Sequence, residues 1–190
     1  MQTKSFKAIA LEKFLYSYDG KFPSVHPTVF IAPGSKIIGD VEIGENSSVW
    51  YNCVIRGDVH YIKIGKNTNI QDLSMLHVSI GTHPLNVGNS VTVGHSVKLH
   101  GCTIEDFTLI GIGSVVLDGA IVQTNSVVAA GAVVTPGFVV PTGKLVAGVP
   151  AKIIRDLSRE EIDYLKVSAN HYAEYAKLSY ESEKGETNEG

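Results

Sequence analysis

The sequence predicts an all-β solenoid: a left-handed parallel β-helix of hexapeptide repeats with a C-terminal α-helix. An aliphatic residue recurs at every sixth position from Val25 to Ile55, and after two insertions and one deletion the pattern runs on to Val146. Small or branched residues often follow four positions later, as at Ser35 and Ser47. A short fixed period of this kind is typical of solenoids, whose stacked coils bury a core that no single repeat can bury.

Each hexad is read as one short strand followed by a corner, so that three hexads complete one triangular coil. The sixth-position aliphatics point into the prism, and Gly and Asn serve the corners, where the backbone needs unusual dihedral angles. A doubly wound α/β domain is the alternative. It requires helical periodicity between strands, and none is present before residue 158.

The C-terminal segment has the pattern of a helix. Ser158 and Glu161 form a capping box, and the apolar residues that follow have the three-four spacing of one helical face. These are Ile162, Leu165, Ala169, Tyr172 and Ala176. We therefore expect four units along the chain: an N-terminal cap (1–20), the β-helix (21–151), a C-terminal helix packing on the prism (152–180) and a polar tail (181–190).

Composition excludes several classes of partner. The chain is 44% hydrophobic and 18% charged with a net charge of −3, and it contains no block of Lys or Arg. Nucleic acid and membrane are therefore not expected as partners. Of the two cysteines, Cys53 falls on the inward column and predicts a buried structural thiol. With no signal pattern at the N-terminus, a cytoplasmic location is the default expectation.

Three of the seven histidines fall at positions that the repeat defines. Counting hexads from Val25 assigns them in turn to faces one, two and three. His77 and His100 each follow an inward leucine on face three, one coil apart, so both point outward on neighbouring strands about 4.8 Å apart. His95 leaves by face two. A lone surface histidine is usually inert, but two stacked imidazoles and a third at the next corner predict metal ligands.

One prism does not easily aim all three imidazoles at one point, whereas two prisms side by side do. Face three of one protomer would supply His77 and His100, and face two of its neighbour would supply His95. A head-to-tail contact of this kind closes into a ring, so we expect a homotrimer with three equivalent sites. Three imidazoles with an open fourth position are the ligand set of a catalytic zinc, although Fe²⁺ and Co²⁺ also accept them.

The same register places further residues around the site. Arg56 lies one coil below His77, and Asp72 lies one coil below His95. We expect Arg56 of one protomer to pair with Asp72 of the next as a bidentate lock, with Asp58 sharing the arginine; a solvated charge pair is the alternative. Gln71 points outward on face two, near the metal layer. The register slips all fall at the end of face three, where their loops would wall the site.

With these residues in place, the chain resembles the γ-class carbonic anhydrases. The resemblance covers roughly residues 10–180 and rests on a set of motifs: Arg56-Gly57-Asp58, Thr68-Asn69-Ile70-Gln71-Asp72, Leu76-His77-Val78, Val93-Gly94-His95, Leu99-His100-Gly101-Cys102 and Ala147-Gly148-Val149-Pro150-Ala151-Lys152. It implies that His77, His95 and His100 ligate zinc or another divalent metal at trimer interfaces. It also implies that Arg56, Asp58 and Asp72 form interface salt bridges, that Asn69 and Gln71 are an active-site polar pair, and that Tyr172 is an active-site tyrosine.

The sequence departs from the archetype of that family at two places. Val59 stands where the archetype has a glutamate, and the loop over residues 78–86 contains no carboxylate where the archetype has an acidic, proton-shuttling loop. His83 in this loop is a candidate replacement relay, with an inert loop histidine as the alternative.

Three functions follow as hypotheses. The first is a carbonic anhydrase-like enzyme that hydrates CO₂ to bicarbonate with a metal-bound hydroxide, at a reduced rate. The second is an acyl-CoA thioesterase or an acyltransferase of the hexapeptide class, in which one histidine acts as general base. The third is a non-catalytic, metal-stabilised trimer.

Overall fold

The structure is a computed structural model that describes residues 12–186. It confirms the predicted parallel β-solenoid, with about 7 turns, and the C-terminal helix. A short 3-10 helix, Glu12–Phe14, leads into the strands, and helix α1 (Arg159–Glu186) follows them. Residues 1–11 of the expected N-terminal cap lie outside the described residues.

Faces one and three belong to one sheet, because two long strands continue around the corner between them. Within the described residues this sheet has twelve strands. They are β1 (Leu15–Tyr16), β2 (Ser24–Val25), β4 (Lys36–Ile43), β6 (Val54–Ile64), β8 (Met75–His77), β9 (Leu85–Val87), β11 (Lys98–His100), β12 (Thr103–Ile104), β14 (Val115–Val116), β15 (Ile121–Val122), β17 (Val133–Val134) and β18 (Val139–Val140).

Face two is a separate sheet, with eight strands among the residues described. They are β3 (Phe30–Ile31), β5 (Ser48–Val49), β7 (Asn69–Ile70), β10 (Thr92–Val93), β13 (Leu109–Ile110), β16 (Val127–Val128), β19 (Lys144–Ala147) and β20 (Lys152–Asp156). All pairings here are parallel except β19 with β20.

The predicted inward aliphatics form the core. Apart from Val25, which is half-buried at the first coil, every one of them from Ile31 to Val146 is at most 4% exposed. Parallel pairing stacks them in register, as with Leu76 on Leu99 and Leu99 on Val116. Burying a column of this kind is the main favourable term for the fold.

The corners use left-handed backbone conformations, as the repeat predicts for Asn and Gly. Asn46, Asn52 and Asn67 have φ values of 57°, 58° and 52°. Leu73 is unusual, because a bulky side chain at φ 61° is strained and this one is also 61% exposed. It lies directly after Asp72, next to the predicted site.

The expected boundaries of the last two units are corrected. Residues 152–156 are not helical: after the turn at Val149-Pro150, they form β20 and complete the edge of the face-two sheet by antiparallel pairing with β19. The helix begins only after Ser158 and continues to Glu186, so part of the expected polar tail is helical. Residues 187–190 lie outside the described part of the chain.

Helix α1 starts at the predicted capping box and packs on face two. Ser158 Oγ accepts from the Glu161 amide at 3.2 Å, and a Glu161 carboxylate oxygen accepts from the Ser158 amide at 2.8 Å. The helix contacts β3, β5, β7 and β10 and buries Leu165, Ala169 and Ala176. Neither helix described between residues 12 and 186 has the length and apolarity needed to cross a lipid bilayer.

Candidate metal centre

Two imidazoles lie side by side on face three. His77 at the end of β8 pairs in register with His100 at the end of β11. Both follow buried leucines, so strand alternation turns both rings outward. His77 Nδ1 and His100 Nε2 are 3.1 Å apart, which is the adjacency that the hexad register predicts.

A carboxylate holds the far nitrogen of each of these rings. Asp58 Oδ1 lies 3.0 Å from His77 Nε2, and Asp118 Oδ1 lies 2.6 Å from His100 Nδ1. Arg56 donates to the other oxygen of Asp58, and Ser79 Oγ donates to Asp118 Oδ2 at 2.9 Å. We call these two imidazoles with their two carboxylates the face-three half-site.

Both carboxylates are held in the ionised form. Burial by itself would raise the pKa of Asp58, but hydrogen bonds from His77 and Arg56 and the charge of Arg56 outweigh it and lower that pKa. For Asp118, burial is likewise outweighed by hydrogen bonds from His100 and Ser79, and its pKa is also lowered. Each carboxylate is therefore an acceptor near neutral pH and fixes which nitrogen of its histidine carries the proton.

The third imidazole lies around the corner, on face two. Val93 of β10 pairs with Ile70 of β7, and this register stacks His95 directly above Asp72. His95 Nδ1 lies 2.7 Å from Asp72 Oδ2, and the His95 side chain is 45% exposed. The His95 ring is therefore held by Asp72 through one nitrogen, while nearly half of its side chain is open to the surface of the protomer.

Beside this pair, helix α1 covers two buried amides. Gln71 Nε2 donates to Asn69 Oδ1 at 3.0 Å, and both side chains are almost fully buried. The Tyr172 hydroxyl makes a side-chain hydrogen bond with Gln71. Burial and then the charge of Asp72 raise the pKa of Tyr172, so the phenol stays protonated near neutral pH. We call His95 and Asp72, with Gln71, Asn69 and Tyr172, the face-two half-site.

The two half-sites do not converge within one chain. Across residues 12–186 of a single protomer, no three His, Cys, Asp or Glu side chains come together in a way that could hold a metal ion. That geometry agrees with the expectation that one prism cannot aim all three imidazoles at one point. Arg56 pairs with Asp58 in the chain, while Asp72 is engaged by His95. The expected Arg56–Asp72 contact between protomers stays a prediction.

The donor set nevertheless fits a metal ion. Each of the three imidazoles has one ring nitrogen against a carboxylate, which is the usual environment of histidines that bind metals. The other nitrogens of His77 and His100 face each other. The 3.1 Å between His77 Nδ1 and His100 Nε2 is close to the spacing of about 3.3 Å between two nitrogens on a tetrahedral zinc with bonds of about 2.0–2.1 Å.

No other histidine of the chain has this environment. All seven lie among the described residues, and an ion pair with a carboxylate occurs there only for the three predicted ligands. The remaining four bond to local groups, contact rings or lie on the surface: His26, His60, His83 and His171. The carboxylate partners therefore separate candidate ligands from ordinary histidines.

The loop after His77 packs on the face-three half-site. His83 lies against Gly101 and Gly119, and a Cβ at Gly101 would come within 2.7 Å of the His83 Cβ. The charge of His83 is among those that lower the pKa of Asp118. The prediction that this loop walls the site is consistent with the Ser79–Asp118 bond and with the position of His83.

Two functional candidates escaped the sequence reasoning. Asp118 lies one coil above Gly101, as the bond from the Gly119 amide to the Gly101 carbonyl shows. Extending the repeat count by one coil beyond Gly101 reaches it. Ser79 sits in an irregular loop, where no repeat position fixes its direction. Cys53 and Cys102 are buried as structural thiols, and burial raises the pKa of Cys53 to about 12.

Comparison with known proteins gives a consistent family. Residues 22–57 match the family model described as bacterial transferase hexapeptide (six repeats). The chain is 42% identical over 184 residues to "Gamma carbonic anhydrase 1, mitochondrial" of Arabidopsis thaliana, covering 93% of this chain and 67% of that protein. It is 52% identical over 155 residues to "Probable carbonic anhydrase" of Methanocaldococcus jannaschii, covering 82% and 95%.

A solved structure is also closely similar. It is a hexapeptide transferase family protein from Anaplasma phagocytophilum, 44% identical, with a TM-score of 0.83 over 87% of this chain and 98% of that one.

Proposed function

Because the chain belongs to the γ-class carbonic anhydrase family of hexapeptide-repeat proteins, we propose that it is a metal-dependent hydro-lyase that reversibly hydrates CO₂ to bicarbonate. The observation that carries this proposal is the set of three carboxylate-backed imidazoles, His77, His95 and His100. Zinc is the proposed metal, and Fe²⁺ or Co²⁺ suits the same ligands. The cytoplasm is the proposed compartment.

The chain's own residues would bind the metal and orient the reactants. When bound, the metal supplies Lewis-acid activation of water at neutral pH. The carboxylates of Asp58, Asp72 and Asp118 fix the tautomers of the three imidazoles, which keeps one nitrogen of each ring free for the metal. Gln71 would orient the reacting water or bicarbonate by hydrogen bonding. Hydrogen bonds with Asn69 and Tyr172 would hold Gln71 in place.

A homotrimer is the proposed assembly, because each half-site needs the other. The edge around the two half-sites exposes apolar side chains that a single chain leaves uncovered, notably Leu73 at 61%, Ile112 at 56% and Met75 at 42%. Ile112 lies one coil above His95. Contiguous exposed apolar surface of this kind favours association, and a ring of three gives three sites.

Proton transfer from the site to solvent is the step that we propose limits the rate. Val59 and the loop over residues 78–86 supply no carboxylate. His83 is the proposed relay, because it lies near Asp118, which bonds His100. An imidazole has the right range of pKa for this task. We propose slow hydration that added imidazole buffer accelerates.

Acyl transfer is the second candidate, since a solved relative at 44% identity is titled a hexapeptide transferase family protein. That chemistry needs one histidine as general base, and three carboxylate-backed imidazoles go beyond that requirement. A non-catalytic metal-stabilised trimer is the third candidate.

Experiments on a single protein preparation can distinguish the three candidate functions. Anaerobically purified protein is analysed for metals and sized in solution, then assayed for oxygen-isotope exchange between CO₂ and water with and without a chelator, and for turnover of a panel of acyl-CoA thioesters. The proposal expects about one metal per chain, a trimer, and exchange that the chelator abolishes. A metal-loaded trimer without exchange contradicts the proposal; thioester turnover then supports acyl transfer, and inactivity on both supports the scaffold.

A further inference from the structure

A chain of hydrogen bonds runs beneath helix α1 from the helix to Gln71. Ser168 Oγ and Thr92 Oγ1 are 3.3 Å apart. Asn69 Nδ2 donates to Thr92 Oγ1 at 3.1 Å, and Gln71 Nε2 donates to Asn69 Oδ1 at 3.0 Å. All four side chains are buried, so water does not easily replace any of these bonds.

The partners in this network decide which carboxamide atoms donate and which accept. A carboxamide fits its space equally well with oxygen and nitrogen exchanged, and only its partners decide between the two. Asn69 Nδ2 also points at the Val91 carbonyl oxygen, at 3.4 Å, and a carbonyl can only accept. Asn69 therefore turns Oδ1 toward Gln71, and Gln71 must donate an N–H to this oxygen. Gln71 then keeps its second N–H and its oxygen for the Tyr172 hydroxyl and the reacting species.

A purely packing role does not account for these polar residues. On face two, the outward position before the inward aliphatic is held in successive coils by Ser48, Asn69, Thr92, Leu109 and Val127. Leucine thus fills this position in the coil after Thr92, and valine fills it in the coil after that. Burying polar side chains under a helix is less favourable than burying apolar ones, whereas a fully bonded network gives a single, specific arrangement.

We propose that Thr92 and Ser168 are positioning residues, which hold the Gln71 carboxamide with its nitrogen toward Asn69 and its oxygen toward the reacting water or bicarbonate. This inference rests on the proposed function, because it takes Gln71 to touch the reacting species. Since Ser168 lies on α1 one turn before Tyr172, docking of the helix and orientation of Gln71 are coupled.

The test compares isosteric Thr→Val substitutions at two buried threonines, Thr92 in β10 and Thr108 just before β13. Thr92→Val removes the hydroxyl that accepts from Asn69, and Thr92→Ser keeps it. Thr108→Val is the matched control, because Thr108 is equally buried but its hydroxyl donates only to the nearby Glu105 carbonyl at 3.0 Å. For CO₂ hydration we expect kcat to fall about tenfold in Thr92→Val with KM within about twofold. Thr92→Ser restores kcat, Ser168→Ala lowers it in the same direction, and Thr108→Val leaves it unchanged.

A second readout does not depend on activity. In ¹⁵N spectra of the protein, we expect hydrogen exchange of the Asn69 and Gln71 side-chain amides to be slow in the native chain and in Thr108→Val, because these amides are buried. We expect it to quicken at least about tenfold in Thr92→Val and to return to the native rate in Thr92→Ser. Unchanged exchange and unchanged kcat in Thr92→Val overturn the inference, as does an equal kcat loss in Thr108→Val.

The two proposals fail in different ways. If the native chain does not hydrate CO₂, the proposed function falls, and the amide-exchange measurement still decides whether Thr92 orients the pair. If the native chain is active and Thr92→Val changes neither readout, only the positioning role falls.

Discussion

The two half-sites are built from the same repeat but contain different kinds of side chain. The face-three half-site has two imidazoles 3.1 Å apart, each against a carboxylate, and it is a ligand-rich surface without amides. The face-two half-site has one imidazole beside a buried amide pair under a helix. The first supplies two of the three proposed metal ligands, and the second combines the third proposed ligand with amides that we propose orient the substrate. If the two half-sites belong to one metal site, as we propose, a complete site needs both faces and hence two protomers.

The largest expected effect is on metal content. His100→Asn removes a ligand from the face-three half-site and His95→Asn removes one from the face-two half-site. Since three imidazoles are the proposed ligand set, we expect either change to reduce bound zinc after dialysis to background. His171→Asn is the control, because its exposed ring lies beside Tyr175 and makes no ion pair with a carboxylate of the described residues. Retention of zinc in His95→Asn alone would show that face two is not part of the site.

The next largest effect is on local stability, because loosening helix α1 should expose the face-two half-site and leave the face-three half-site unchanged. Leu165 is buried between α1 and face two, so Leu165→Ala should destabilise the protein by about 2–4 kcal/mol. Leu178→Ala, on the exposed side of the same helix, should cost less than about 0.5 kcal/mol. Denaturant unfolding measures both. Hydrogen exchange should quicken over residues 68–72 and not over 98–100; equal quickening of both segments contradicts the division.

Much of the candidate site could be predicted from the sequence, but the way the helix packs on it could not. The repeat fixes register, so the stacking of His77 on His100 and of Asp72 beneath His95 followed from counting hexads. The same count places Asp118 one coil above Gly101, where its carboxylate reaches His100. Antiparallel pairing of β20 and the seating of Ser168 on Thr92 did not follow, because both depend on how the chain leaves the repeat after Val146. Helix spacing predicts a buried face, but it does not set the height at which the helix docks.

A smaller effect concerns the carboxylate behind His100. Asp118→Asn keeps the shape and removes the charge that fixes the ring. We expect the affinity for Zn²⁺ to fall about tenfold to a hundredfold, measured by competition with a chromophoric chelator. Asp106→Asn is the matched control, since Asp106 accepts from Asn89 at a distant corner. An equal loss in both variants would assign the effect to general charge and not to the orientation of His100.

The smallest expected effect is a pH dependence at the start of α1. The exposed Glu161 carboxylate has its pKa lowered to about 2, first by hydrogen bonds from Arg155 and then by the Ser158 amide. A lowered pKa means that the stabilisation is present above the ordinary pKa of 4.5 and is lost as pH falls through about 2. The Tm difference between the native chain and Glu161→Gln should therefore be largest above pH 5 and shrink toward pH 2. A difference that grows on acidification contradicts this sign.

Mixing two inactive variants tests most directly whether each metal site is shared between two protomers. His95→Asn protomers keep an intact face-three half-site, and His100→Asn protomers keep an intact face-two half-site. Unfolded together in equal amounts and refolded with zinc, they should regain about one quarter of the native zinc content and hydration rate. Each site takes one protomer's pair and its neighbour's His95, with a probability of about one half for each. Either variant refolded alone should regain neither. If the mixture stays as empty and inactive as its parts, the site is not shared between protomers.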